Sequence, residues 1–107
     1  MKEINTIIDK IQSKRIQRIE NKLKSKNQIL VGKTIKFYRI YYNIPQKELA
    51  RRLWTSFQTV QKYERGIYKI TPYKLVKICR AIGISEEQFI DTVDNVDELM
   101  DIINKNY

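Results

Sequence analysis

Helix breakers are scarce in this chain: its 107 residues hold only 3 Gly and 2 Pro. No stretch shows the period-two alternation of a half-buried strand bounded by turn residues. The apolar residues recur instead at steps of three and four, as one face of an α-helix demands. An all-α fold is therefore expected, and a hydrophobic content of 42% provides for a core.

The residue inventory is poor in catalytic chemistry. Without His there is no imidazole base and no imidazole zinc ligand, and a single Cys79 builds neither a disulfide framework nor a Cys-rich metal site. No enzymatic step and no cofactor are expected. No apolar run approaches the ~20 residues of a membrane span. Residues 1–30 mix charges with isolated apolar positions, unlike a secretion signal. A cytoplasmic protein with no membrane partner is the expectation.

The formal charge of +9 is unevenly spread. Residues 1–30 carry +5, residues 31–83 carry +10 and residues 84–107 carry −6. A strongly basic middle segment suits a polyanion, because neutralising phosphates releases condensed counterions. Basic residues that merely solvate helix faces are the plainer explanation unless a motif supports the other. The charge steps suggest three parts: a basic amphipathic arm (1–30), a central domain (31–90) and an acidic C-terminal helix (91–107).

In the arm, Ile4, Ile7, Ile8, Ile11, Ile16, Ile19 and Leu23 form a stripe that drifts around a helix, with Lys10, Lys14, Arg15, Arg18 and Lys22 elsewhere on it. Such a helix can pack on the core, pair with a partner helix, or lie on nucleic acid or an anionic membrane surface. Packing or pairing is favoured. In the central domain, Val31, Ile35, Tyr38 and Tyr42 mark a first helix, ended by Asn43 to Pro45. Pro45 suits the start of the next. Ser56 caps the third, which runs to about Arg65 and stops at Gly66. Thr71 with Pro72 opens a fourth that ends at Gly83. Ser85 to Gln88 reads as a capping box, with Ile84 and Phe89 as its hydrophobic staple.

Gln46 to Arg65 is the informative stretch: two short helices joined by a three-residue turn. Ala50 is the small residue their crossing needs, and Leu49, Leu53, Val60 and Tyr63 line the inner faces. With Val60 pointing inward, Gln58, Gln61, Lys62 and Arg65 fall together at about 100 to 200° from it. That face carries amides and cations and no acid. Gln can bond adenine N6 and N7 bidentately, while Lys and Arg reach guanine or phosphate. A solvated helix surface would carry the same residue types, so the types alone do not decide.

The set Gln46-Lys47-Glu48-Leu49-Ala50, Leu53, Ser56, Val60 and Tyr63-Glu64-Arg65-Gly66 resembles the Xre-type helix-turn-helix family, which includes the lambda and 434 phage repressors. The resemblance covers about residues 31–90 and implies a five-helix DNA-binding domain in a bacterial transcriptional regulator. It implies that Phe57, Gln58, Gln61 and Lys62 face base edges. Phosphates would be held by Gln46, with help from the positive helix end, and by Lys69, Arg65 and Arg39. Arg39 would also pair with Glu64, a structural role, since an unpaired Glu there would repel phosphate.

Three positions depart from the family pattern. Trp54 stands where Gly is usual, with Thr55 next to it in place of an aliphatic residue. A left-handed backbone there costs a bulky residue on the order of 1 kcal/mol or more. Phe57 replaces a polar residue, and either touches a thymine methyl or packs on the domain. Cys79 falls on the apolar stripe of its helix, as a small core residue. Tyr68, beside Lys69, is within reach of a phosphate.

Beyond the family core, Phe89, Val93, Val96, Met100 and Ile103 step by 4, 3, 4 and 3, the spacing of a narrow helical seam. Acids occupy its other faces. A seam of this kind joins two subunits or folds onto its own domain, and the acidic face offers a site for another protein or for the basic arm. The expectation is a homodimeric, sequence-specific regulator of double-stranded DNA, more readily a repressor than an activator. The alternatives are an antitoxin-type regulator or an interaction module that has lost base reading.

Overall fold

The computed structural model describes residues 2–106, all of whose regular elements are helical. They are α1 (Lys2–Leu23), α2 (Gln28–Tyr41), α3 (Gln46–Arg52), α4 (Phe57–Glu64), α5 (Pro72–Ile82), α6 (Glu86–Val93) and α7 (Val96–Asn106).

Local chemistry explains most of the boundaries. Asn27 caps α2 by accepting from the amides of Ile29 and Leu30. Ser56, Thr71 and Ser85 do the same for α4, α5 and α6, each accepting from the amide three residues on. Pro72 occupies the first turn of α5, where its missing N–H costs nothing. Gly83 ends α5 at φ 98°, a left-handed turn that a side chain would resist. The helix expected from Val31 starts earlier, at Gln28, where Asn27 is its cap.

α2 is the central strut. One flank meets α4, another meets α6 and α7. Ile35, Leu49, Val60, Leu75, Ile78, Phe89, Val93 and Val96 are fully enclosed between these helices. Gly32 sets how closely α4 approaches. A Cβ there would lie 2.3 Å from the Tyr63 carbonyl oxygen and 2.8 Å from that of Glu64. Polar groups in the core are satisfied: the Thr34 hydroxyl donates to the Leu30 carbonyl at 2.8 Å. Thr92 spends its proton on the Gln88 carbonyl, so it accepts from the Tyr38 hydroxyl at 2.6 Å.

The C-terminal seam differs from the single helix expected. A turn at Asp94 and Asn95 separates α6 from α7, and the change of axis sends Phe89, Val93, Val96 and Ile103 into the core of their own chain. Met100 is half-buried against the same core. Folding back consumes the apolar surface that a seam between subunits would have used.

Only the second half of α1 reaches the core. Ile19 is buried and Leu23 half-buried, where α1 meets α5 and α6. Ile4, Ile7, Ile8 and Ile11 remain exposed. Basic residues of α1, α2 and their connection meet the acids of α6, α7 and the turn between them: Arg15 with Glu86, Lys22 with Glu87 at 3.0 Å, Lys26 with Asp94 at 2.7 Å, and Lys33 with Asp97 at 2.8 Å.

Candidate nucleic-acid interface

α3 and α4 cross through Ala50, which is buried along with Leu49 and Val60. Between them Trp54 takes φ 55°, the left-handed conformation that its bulk disfavours. The turn is still closed by hydrogen bonds: the Trp54 amide donates to the Arg51 carbonyl at 3.2 Å and that of Thr55 to the Ala50 carbonyl at 3.0 Å. The Trp54 side chain is 96% exposed, so the geometry of the pair survives the departure from Gly.

A buried polar relay holds α4 to α2 and α3. The Arg39 guanidinium donates to both oxygens of Glu64, at 2.7 and 3.2 Å, and to the Ile44 carbonyl at 3.0 Å. The Gln46 amide donates to Glu64 at 3.1 Å and accepts from Gln61 at 3.4 Å. Arg39 and Glu64 side chains are 12% and 4% exposed. The one acid of α4 is thereby turned inward and neutralised.

What α4 and its C-cap present outward is Gln58, Lys62 and Arg65, all exposed. Lys62 donates to the Tyr68 hydroxyl at 3.2 Å, and its ammonium lies 5.1 Å from the centre of that ring. Lys69 is exposed in the loop that follows α4, and Lys47 is exposed on α3. Gln61 is half-buried, its amide held by Gln46. Phe57 is half-buried against the core, with the Lys47 ammonium 5.7 Å from its ring centre. Of the residues expected at base edges, then, Gln58 and Lys62 stand fully outward, Gln61 is braced and Phe57 is mostly packed.

Elsewhere on α3 the cations are spoken for. Glu48 accepts from Arg51 at 2.6 and 2.9 Å and from Arg52 at 3.0 Å. Those two guanidiniums hold its carboxyl well below the usual range, at about 2. Arg52 also ties α3 to the Ala81 carbonyl at 2.8 Å. Sequence reasoning had missed Gly32 and Lys47. Gly32 has a legible signal only in its placement inside an otherwise regular helix.

Two helices of this length, joined by a short turn and crossing on a small residue, are a helix-turn-helix unit. The helix-turn-helix family model matches residues 35–89, and the chain belongs to that family. It is 34% identical over 67 residues to a transcriptional regulator in the ATPase CF(0) region of Rhodospirillum rubrum, covering 63% of this chain and 62% of that protein. It is 31% identical over 67 residues to the HTH-type transcriptional regulator y4wC of Sinorhizobium fredii, covering 62% and 47%. The HTH-type regulator MJ0272 of Methanocaldococcus jannaschii is 34% identical over 53 residues, half of this chain and 80% of that one. The match thus spans about three-fifths of the first of these relatives and about half of the second. The crystal structure of the clp gene regulator ClgR from C. glutamicum superposes with a TM-score of 0.62 at 20% identity, over 64% of this chain and 88% of that one. That likeness is one of fold. Among the described residues no helix is long and apolar enough to cross a membrane.

Proposed function

We propose that this chain is a sequence-specific, DNA-binding transcriptional regulator that inserts α4 into the major groove. The observation that carries the reading is the pairing of an outward face of Gln58, Lys62 and Arg65 with an inward, neutralised Glu64. Gln58, braced Gln61 and Lys62 read base edges. Arg65, Lys69 and the amide of Gln46, at the start of α3, hold phosphates, and Arg39 contributes by fixing Gln46 through Glu64. Phe57 offers only its exposed edge to a thymine methyl. A domain that grips duplex through its surface obstructs it, so repression is the proposed outcome, by a homodimer on a two-fold site.

The exposed, left-handed Trp54 favours one second reading, a protein-docking module on the same scaffold. Salt titration separates the two. A DNA reader loses affinity with log salt at a slope near −0.9 per neutralised phosphate, and Gln58→Ala relaxes discrimination at one base position by about 1–3 kcal/mol while Lys69→Ala weakens all sequences alike. Absence of binding to any duplex at ~50 mM salt, with selection from a random pool yielding no enriched site, rejects the proposal.

A further inference from the structure

The first three turns of α1 carry an apolar stripe that the described residues leave exposed. Ile4, Ile7, Ile8 and Ile11 are 54, 58, 44 and 61% exposed. At 100° per residue they share an arc of about 100°, next to the arc through which Ile19 and Leu23 meet the core. They are not turned toward α5. The groove between α1 and α5 is lined instead by Asp9, Gln12 and Ile16 with Tyr73 and Val76. The described residues span 53 Å along their longest axis against 28 and 23 Å across, and their radius of gyration is 14.9 Å, where a compact chain of this length has about 13 Å. An exposed row of four isoleucines on an extended molecule marks an interaction surface.

We infer that this surface pairs antiparallel with the same surface of a second copy of the chain, about a two-fold axis between Ile7 and Ile8. A two-fold interface must be self-complementary, residue i meeting j and j meeting i. The positions 4, 7, 8 and 11 satisfy that requirement: reversal about their midpoint sets Ile4 against Ile11 and, with each flank facing its own copy, Ile7 against Ile7 and Ile8 against Ile8, leaving no isoleucine unmatched. Charge agrees with the register. Glu3 and Lys14 lie on the same flank of the stripe, and antiparallel pairing sets like flanks together. Each Glu3 then comes within two residues, about 3 Å along the axis, of Lys14 in the other copy.

The spacing also leaves room. In this register the two Ile19 anchors lie 23 residues apart along the shared direction, about 35 Å. The points at which α1 joins each core therefore stand well apart along the pair. Self-association by α1 stands whether or not the chain binds DNA.

The test reads mass and dissociation constant by sedimentation equilibrium on the full chain, without DNA. The wild type sediments at twice 12.9 kDa. The variant Ile4→Glu/Ile11→Glu sets acid against acid at both ends of the stripe and weakens the dimer by about a hundredfold or more. Ile4→Glu/Ile11→Lys is equally polar, but antiparallel pairing sets Glu against Lys, so it recovers at least about tenfold of that loss. Both positions are exposed, and matching thermal melts of the two variants show that the core is intact. A monomeric wild type at about 100 μM, or a dimer indifferent to Ile4→Glu/Ile11→Glu, overturns the proposal. So does equal loss in the two variants, which is the outcome of parallel pairing. A monomer that instead binds anionic vesicles assigns the stripe to a membrane surface and overturns it as well.

Discussion

Cutting the Arg39–Glu64 pair should cost far more than an ordinary surface ion pair. Exposed pairs contribute about 0–1 kcal/mol, but here the side chains are 12% and 4% exposed and share two hydrogen bonds. Arg39→Met leaves the Glu64 carboxylate buried with Gln46 as its remaining side-chain donor. Glu64→Gln leaves an enclosed guanidinium without a countercharge. Each single change should destabilise by about 3 kcal/mol, the lower end of the range for a broken buried pair. With a urea slope of about 1.5 kcal/mol/M, that lowers the unfolding midpoint by about 2 M. The double variant removes both charges together and should fall short of the summed single effects by about 2 kcal/mol. Urea unfolding followed by far-ultraviolet circular dichroism at pH 7 provides all four corners of the cycle. Additive effects, or single losses below about 1 kcal/mol, would refute the view that this pair is what holds α4 in place.

Trp54→Gly should stabilise the fold by about 0.5–1 kcal/mol, because the relief of a left-handed bulky residue exceeds the extra chain entropy of Gly; thermal unfolding by circular dichroism checks the sign. Burial pushes the Cys79 thiol up to about 12, so in the native protein it should stay unreacted with an alkylating reagent at pH 8 and be modified at once in urea. Rapid labelling of the native chain would show that α5 opens locally.

Much of this architecture was legible because short-range chemistry dictates it. Ser56, Thr71 and Ser85 announce helix starts, and Gly66 and Gly83 announce stops, through groups within three residues of each boundary. The α3–α4 unit and the Arg39–Glu64 pair were anticipated from the resemblance of their motif. What escaped depends on distant partners. The steps from Phe89 to Ile103 fit one helix or two equally well, and only the space beside α2 decides that they bend into the core. The same holds for Gly32, whose missing side chain matters because the end of α4 lies against it. The isoleucines of α1 look alike in sequence, yet Ile19 is buried and Ile11 is not. Gln61 reads as a free amide on a helical wheel, and it is Gln46, fifteen positions away, that restrains it.

The ion pairs from α1 and α2 to α6 and α7 have a consequence for encounter. Four acids of the C-terminal segment are matched to cations of the N-terminal third, whereas Lys62, Arg65 and Lys69 around α4 stay exposed with no acid opposite them. With the C-terminal acids so engaged, the α3–α4 unit, whose five cations (Lys47, Arg51, Arg52, Lys62, Arg65) outnumber its two acids (Glu48, Glu64), keeps uncompensated positive charge. In the field of a polyanion such a body turns before it touches. Collisions are then biased toward the productive face, and the bias fades once the Debye length shrinks below the ~10 Å found at 0.1 M salt.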